Sequence, residues 1–395
     1  MSNAASNLVG RVWNFAHVLR DAGVGYGDYV EQITFLLFLK LDSENRAMGR
    51  ASEISDTLNW ETLTDKTGDA LEMHYRHLLD ELGKAPGLVG TIFRKAQNKI
   101  TVPSLLERLV KMMDAENWQE YGPDVKGDLY EGLLQRNAED VKGGAGQYFT
   151  PRPLIHAMVD CVRPKPGQTI TDPACGTGGF LLAAYDYLSK TFASTLDKTQ
   201  KKFLKEETIF GADIVDSVVR LATMNMYLRG IGGGTVPITT LDSLAAPPSV
   251  QYDLVLANPP FGKKSSVTVV GEDGKSSKEG LSVDRDDFWA TTSNKQLNFL
   301  QHIRSLLKIN GQAAVVLPDN VLFEGGAGES IRRKLLASCD VHTLLRLPTG
   351  IFYAQGVKAN VIFFERKPPV KRPGRKSFGC TTFAPISTSR LKPIL

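Results

Sequence analysis

The fold is decided by residues 169–180, which read Thr169-Ile170-Thr171-Asp172-Pro173-Ala174-Cys175-Gly176-Thr177-Gly178-Gly179-Phe180. A short apolar strand ends at Asp172, a glycine-rich turn follows, and residues 180–192 have a helical pattern. In α/β proteins ligands bind at the carboxyl ends of the strands, where glycines admit a ligand close to the backbone and a helix N-terminus offers free N–H groups. The stretch therefore predicts a ligand site, although a tight turn alone would explain the glycines, and the dinucleotide pattern GxGxxG is absent.

Strand and helix patterns alternate on both sides of this motif. Further strands are predicted at residues 208–213, 252–257, 313–317 and 361–364, and a helix at 217–229. This alternation is typical of a doubly wound α/β domain with a mostly parallel, Rossmann-like sheet and helices on both faces. Residues 262–287 are polar and rich in glycine, serine and lysine, which predicts a long loop.

The residues before position 146 have a different pattern. Apolar residues recur at helical spacing through residues 1–140, and three glycines within residues 142–146 break the pattern. We predict an all-helical N-terminal domain at 1–145, an α/β domain at 146–367 and an irregular tail at 368–395.

Composition bounds the class of protein. The chain has 395 residues, 42% apolar and 23% charged, with a formal net charge of +4. These values exclude a disordered chain, and the longest apolar run is too short to span a membrane. The four cysteines are too far apart for a zinc site or a disulfide framework, so we expect no metal and a cytoplasmic protein. The charge balance permits a nucleic-acid partner without showing one.

A second motif, Asn258-Pro259-Pro260-Phe261, follows the apolar strand 252–257. Two prolines remove two N–H donors, which leaves carbonyl oxygens and one amide as acceptors beside an aromatic ring. The Asn258 side-chain oxygen and the Pro259 carbonyl suit the hydrogens of an amino group on a flat ring, and Phe261 suits stacking on that ring. A turn that merely ends a strand is the alternative, but the glycine-rich motif expected at the same sheet edge makes it the weaker one.

A third segment, Gly146-Gln147-Tyr148-Phe149-Thr150-Pro151-Arg152, precedes the first strand. On spacing alone an ordinary linker is the preferred interpretation.

Together these motifs closely resemble amino-directed DNA methyltransferases, and more narrowly the modification (M) subunit of type I restriction-modification systems. The resemblance runs from Leu8 to about Lys367 and is also carried by residues 126–131 (KGDLYE) and 347–352 (LPTGIF). It implies an S-adenosylmethionine-dependent methyltransferase domain behind a helical domain that contacts DNA or partner chains.

The resemblance also implies roles for individual residues. We expect the methionine part of S-adenosylmethionine to be bound by Asp172, Gly176, Thr177, Gly178 and Gly179. Asp213, at the end of the next predicted strand, is expected to bind the ribose hydroxyls. Asp242 is expected to lie beside the adenine of the cofactor. The cofactor is expected to be closed in by Gln147, Tyr148, Phe149, Thr150, Pro151 and Arg152. The target adenine is expected to be held by Asn258, Pro259, Pro260 and Phe261.

The implied reaction is methylation of the N6 amine of adenine in double-stranded DNA, after the base is flipped out of the duplex. The implied partners are a specificity subunit, a second M subunit and the restriction subunit, with no membrane. Three alternatives stay open: a cytosine N4 methyltransferase, a truncated non-catalytic assembly subunit that binds the cofactor, and a nucleotide-dependent oxidoreductase, which the missing GxGxxG disfavours. Cys175 is expected to be a packed residue.

The tail departs from the family. Residues 371–395 lack apolar periodicity and begin with the basic run KRPGRK. We interpret this tail as a frameshifted or truncated C-terminal region, and its basic run as no selected surface.

Overall fold

The computed structural model describes most of the chain, namely residues 10, 12–13, 19, 23–49, 52, 54–121, 123–140, 150–232, 235–261, 266–270, 276–280, 282–352 and 358–369. The tail 371–395 and the glycine-rich boundary 142–146 lie outside the described residues. No helix within these described ranges is both long and apolar enough to cross a membrane.

The N-terminal part is helical, as the apolar spacing predicts. Its helices are α1 (Tyr26–Ala47), α2 (Trp60–Thr64), α3 (Gly68–Leu82), α4 (Gly87–Phe93), α5 (Pro103–Asp114) and α6 (Pro123–Asp140), with a 3-10 turn at Trp118–Glu120. Their apolar faces share one core, in which α1 is central because Ile33, Phe35, Leu36 and Leu37 are all buried. Burial of such side chains stabilises the domain by about 1.5–3 kcal/mol each.

The second part is an α/β domain. Its strands are β1 (Ile170–Asp172), β2 (Ile209–Asp213), β3 (Ile238–Thr240), β4 (Tyr252–Ala257), β5 (Ser266–Val270), β6 (Ser276–Gly280), β7 (Leu307–Pro318), β8 (Cys339–Arg346) and β9 (Ala359–Arg366). Its helices are α7 (Arg152–Val162), α8 (Gly179–Thr191), α9 (Lys198–Glu206), α10 (Asp216–Leu228), α11 (Lys295–Leu306), α12 (Asn320–Phe323) and α13 (Ala327–Ser338).

Among the described residues, seven strands form one sheet in the order β3-β2-β1-β4-β7-β9-β8. The pairs from β3 to β7 are parallel, whereas β9 runs antiparallel to β7 and β8. Alternate side chains of β4 pack into the hydrophobic cores on opposite faces of the sheet. Leu254 and Leu256 belong to one core, and Val255 and Ala257 belong to the other. Both faces are therefore covered, which confirms the doubly wound α/β prediction.

Helix α10 belongs to both parts of the molecule. Leu221, Met224 and Leu228 complete the core of the N-terminal helices, while Ala222 and Met226 pack in the core of the sheet. The buried Arg220 side chain donates to the Ile92 carbonyl at 2.7 Å and pairs with Glu31 at 2.6 Å. The helical region is thus packed directly onto the helix that follows β2.

The five strands predicted from the sequence are confirmed, and β3 and β8 were missed. β3 is only three residues long, and β8 has mixed burial because it lies at the sheet edge, so neither shows a clear pattern. The long loop predicted at 262–287 is wrong in part, because β5 and β6 pair there as an antiparallel hairpin.

Candidate active site

Three polar side chains predicted from the sequence lie at the carboxyl edge of the sheet. Asp172 ends β1, Asp213 ends β2 and Asn258 directly follows β4. These strands are neighbours in the order β2-β1-β4 and run parallel, so their carboxyl ends meet at one edge. In this class of sheet that edge is where ligands bind.

The glycine-rich turn after β1 is folded against Asp213. The backbone N–H of Gly176 donates to Asp213 Oδ2 at 3.1 Å, and the N–H of Val215 donates to Oδ1 at 3.0 Å. Gly178 precedes α8 with a φ of +84°, and a Cβ there would lie 2.6 Å from Met226 Cε, so the site favours glycine on two grounds. Thr177 accepts a hydrogen bond at its carbonyl from Asn225, and Gly179 begins α8. A Cβ on Gly176 would meet nothing within 4 Å, whereas one on Gly179 would lie 2.7 Å from Arg152 Nη1, so the turn is open at Gly176 and closely packed at its end.

Asp172 is buried beneath this turn. Its Oδ1 accepts the Ala174 N–H at 3.0 Å, but burial dominates and raises the pKa of the carboxyl to about 8, with Asp213 adding to the rise. Cys175 beside it is also buried, and burial raises the pKa of its thiol. A protonated, inaccessible thiol fits the expectation that Cys175 is a packed residue.

The loop after β3 brings Asp242 to the same edge. The Leu241 N–H donates to the Asp213 carbonyl at 2.9 Å, and Ser243 Oγ donates to the Pro173 carbonyl at 2.6 Å. Asp242 itself is exposed, and its Oδ1 accepts the Leu244 N–H. Two apolar side chains near Asp213 also face solvent, Ile214 with 63% and Leu241 with 55% of its surface exposed. Neither was singled out from the sequence, although both flank predicted carboxylates.

Arg285 fixes this loop from behind. Its buried guanidinium donates to the carbonyls of Ser243 and Leu244 at 3.2 and 3.5 Å and pairs with Asp287 at 2.8 Å. It also contacts His302 Nδ1, and burial together with Arg285 lowers the pKa of His302 to about 4. The imidazole is therefore neutral at physiological pH and suited to accept from Arg285. Arg285 lies in the segment predicted as a loop, where no local pattern pointed to a structural role.

The second half of the site surrounds residues 258–261. Asn258 Nδ2 donates to Thr150 Oγ1 at 2.8 Å, and the Pro260 carbonyl accepts from Gln296 Nε2 at 3.3 Å. Pro259 is buried and Pro260 is exposed. The half-buried Phe261 ring and the buried Phe352 ring form a T-shaped contact, with centroids 5.6 Å apart and an interplanar angle of 75°. Such an edge-to-face contact fixes the position of an aromatic ring.

Comparisons with known proteins fit this arrangement. The N-6 DNA Methylase family matches residues 121–375, and the HsdM N-terminal domain matches residues 8–113. The chain belongs to the N-6 DNA methylase family. It is 41% identical over 373 residues to the Type I restriction enzyme StySPI methylase subunit of Salmonella potsdam, covering 91% of this chain and 67% of that protein. It is 40% identical over 374 residues to the EcoKI methylase subunit of Escherichia coli K12, with the same two coverages.

A solved structure of a type I restriction-modification system is also similar. One of its chains superposes with a TM-score of 0.74 at 28% identity, covering 92% of this methylase and 75% of that chain. That structure concerns complex assembly and conformational transition of the system. The methylase therefore shares both the helical region and the sheet domain with type I methylase subunits, which confirms the resemblance found in the sequence.

In this methylase, the motif at residues 126–131 joins the two regions. Arg229, which follows α10, pairs with Asp186 at 3.2 Å, Glu131 at 3.3 Å and Asp128 at 3.5 Å. A Cβ at Gly127 would lie 2.8 Å from Arg229 Nε, so glycine permits this close approach. In the sequence, residues 126–131 contributed to the family resemblance but had no predicted role. In the structure they lie where the helical region contacts the sheet domain.

Arg152 extends the same cluster to the active site. Its guanidinium pairs with Glu131, and burial lowers the pKa of the guanidinium. Pro151 caps α7, and Thr150 precedes it. Of the segment predicted to close over the cofactor, Gln147, Tyr148 and Phe149 lie outside the described residues. Within the part of the chain that the structure describes, no group of three His, Cys, Asp or Glu side chains is arranged to hold a metal ion.

Proposed function

We propose that this chain transfers a methyl group from S-adenosylmethionine to the exocyclic N6 amine of adenine in DNA, as the modification subunit of a type I restriction-modification complex. The observation that carries the proposal is the alignment of Asp172, Asp213 and Asn258 on neighbouring strand ends in a member of the N-6 DNA methylase family. A cofactor half and an acceptor half at one sheet edge are what a transfer between two bound molecules requires.

The residues around β1 to β3 fit S-adenosylmethionine. Gly176, where a Cβ would meet nothing within 4 Å, leaves room for the methionine part in the turn before α8. The Asp213 carboxylate suits the ribose hydroxyls, as strand-end carboxylates do in nucleotide-binding folds. The exposed side chains of Ile214 and Leu241 suit the two faces of the adenine ring, with Asp242 at its edge. When bound, the cofactor supplies a methyl group already activated by the sulfonium charge.

Residues 258–261 suit the target base. Because a paired base is unreachable, the adenine must leave the duplex before it enters this pocket. The Asn258 Oδ1 and the Pro259 carbonyl then accept the two hydrogens of the amine, which favours a pyramidal nitrogen whose lone pair is free to attack. Phe261, steadied by Phe352, stacks on the ring. The contribution of the chain is mainly alignment of the nitrogen with the methyl group.

The partners follow from the relatives. The similar proteins are methylase subunits of type I restriction enzymes, and the chain carries the HsdM N-terminal domain. We infer that it works with a specificity subunit that reads the DNA sequence, a second modification subunit and a restriction subunit. The helical region is the surface we assign to DNA or partner contacts.

The test is to identify the methylated nucleoside. Duplex DNA is incubated with deuterium-labelled S-adenosylmethionine and the chain, with and without its specificity subunit, then digested for mass spectrometry. The proposal expects label on N6 of adenine in the assembled complex. Label on cytosine N4 would favour the alternative amine, and no label in the assembled complex would favour a non-catalytic, cofactor-binding assembly subunit.

A further inference from the structure

We infer that Thr150 is a positioning residue that sets the orientation of the Asn258 side-chain amide for methyl transfer. This inference rests on the proposed function, since it concerns how Asn258 meets the target amine. The sequence placed Thr150 only in a segment expected to close over the cofactor. The structure gives it a different contact, with a residue of the acceptor half of the site.

The contact joins two distant parts of the chain. Asn258 Nδ2 donates to Thr150 Oγ1 at 2.8 Å, across a sequence separation of 108 residues. A primary amide has a donor end and an acceptor end of nearly equal size, and the torsion between them is broad. The bond to Thr150 holds the amide in one place, with its Nδ2 end turned to the hydroxyl. With Nδ2 committed to Thr150, Oδ1 is the atom directed elsewhere.

That choice of end matters for the reaction. The amine of adenine presents hydrogens, so it needs an acceptor opposite it, which is Oδ1. If the amide were rotated by half a turn, Nδ2 would face the amine and two donors would oppose each other. The acceptor that withdraws a hydrogen in the transition state would then be lost. In the structure the Nδ2 end is the one bonded to Thr150, which leaves Oδ1 on the opposite side of the amide.

Thr150 is itself held by its neighbours in the chain. Pro151 fixes the backbone at the start of α7, and Arg152 pairs with Glu131 of α6. The side chains of Arg152 and Glu131 are each only 19% exposed, so this anchor is largely shielded from solvent. Threonine is β-branched, and its restricted χ1 keeps the hydroxyl in place once the backbone is fixed. The helical region thus supports the orientation of Asn258 through two residues.

The experiment compares Thr150→Val with Thr150→Ser in the complex assembled with its specificity subunit. Valine keeps the shape and removes the acceptor, whereas serine keeps the hydroxyl. We expect Thr150→Val to lower the single-turnover methylation rate about 5- to 100-fold, because a polar group is left without its partner. We expect Thr150→Ser to restore the rate to within about threefold. The dissociation constant of S-adenosylmethionine, measured by calorimetry, should change less than about twofold in both.

A double variant separates positioning from an independent contribution. If Thr150 acts through Asn258, then Thr150→Val added to Asn258→Ala causes no further loss of rate. Losses that multiply would overturn the inference, as would a normal rate in Thr150→Val. A weakened cofactor affinity in Thr150→Val would also overturn it and assign the hydroxyl to the cofactor. Should Thr150→Val fold poorly by circular dichroism, Thr150→Ala serves as the second variant lacking the hydroxyl.

Failure of the proposed function gives a different result. The unsubstituted complex would then transfer no methyl group to DNA, a result that is seen before any variant is made. It would overturn both the proposed function and the inference about Thr150. A complex that methylates normally with Asn258→Ala, while Thr150→Val is slow, would keep the function and overturn the positioning role alone.

Discussion

The two halves of the proposed active site are built in different ways. The half proposed for the cofactor is local: Asp172 and Asp213 end two adjacent strands, and backbone N–H groups of the turns that follow them, including that of Gly176, donate to their carboxyl groups. The acceptor half is assembled from distant segments, because Asn258 contacts Thr150, Pro260 contacts Gln296, and Phe261 packs on Phe352. The difference teaches that one half is a property of a βαβ unit, whereas the other depends on the whole domain being folded.

This comparison predicts a clean separation of the two functions. The largest effect is expected for Asn258→Ala, because removing a hydrogen bond used in the transition state costs about 100- to 1000-fold in rate. Affinity for S-adenosylmethionine should survive, since Asn258 lies outside the β1–β2 turns. Single-turnover methylation and calorimetry on the same preparation measure both quantities. Joint loss of binding and rate would mean that the two halves are not separable.

Asp213→Ala should instead lower the affinity for S-adenosylmethionine. The ribose hydroxyls lose a charged acceptor, and the Gly176 N–H loses its partner, so cofactor affinity should fall about 10- to 150-fold. Asp160→Ala is a matched control, because it removes the same charge from an exposed position of α7. Calorimetry showing unchanged affinity in Asp213→Ala would remove this residue from the cofactor site.

Phe261→Ala should weaken base capture by about 5- to 100-fold, since stacking on an aromatic side chain is worth about 1–3 kcal/mol per base. Phe261→Tyr keeps the ring and is expected to stay near the unsubstituted rate. Fluorescence of 2-aminopurine at the target position reports the flipped base directly. Equal signals and rates for the alanine and tyrosine variants would show that Phe261 only fills the core beside Phe352.

A further effect concerns Asp172, and it changes stability rather than rate or affinity. In the unfolded chain a carboxyl ionises near pH 4, whereas burial raises the pKa of Asp172 in the folded chain to about 8. Between these values the folded state holds a proton that the unfolded chain has lost, so the stability of the fold decreases as pH rises from about 4 to about 8.

Asp172→Asn should remove this penalty. Its melting temperature should exceed that of the unsubstituted chain by about 2–4 °C for each kcal/mol relieved, and the gap should widen from about pH 5 to about pH 8. Thermal unfolding across this range measures the gap, with exposed Asp160→Asn as the control. A gap that narrows with rising pH would contradict the raised pKa assigned to this buried carboxyl.

The same contrast explains how far the sequence alone could lead. The strand that ends at Asp172 and its glycine-rich turn are contiguous, so pattern and chemistry sufficed to predict them. The partners of the acceptor half could not be predicted, because nothing near Thr150 or Gln296 indicates that it meets residues 258–261. Arg285 was missed for the same reason, since its role depends on carbonyls about 40 residues upstream in the chain.

A crystal structure of the chain with S-adenosylhomocysteine tests the central claim most directly, that the two halves meet at one sheet edge. The account predicts ribose hydroxyls within hydrogen-bond distance of the Asp213 carboxylate, the adenine between Ile214 and Leu241, and the sulfur facing Asn258. A ligand bound elsewhere, or one whose sulfur points away from residues 258–261, would contradict it.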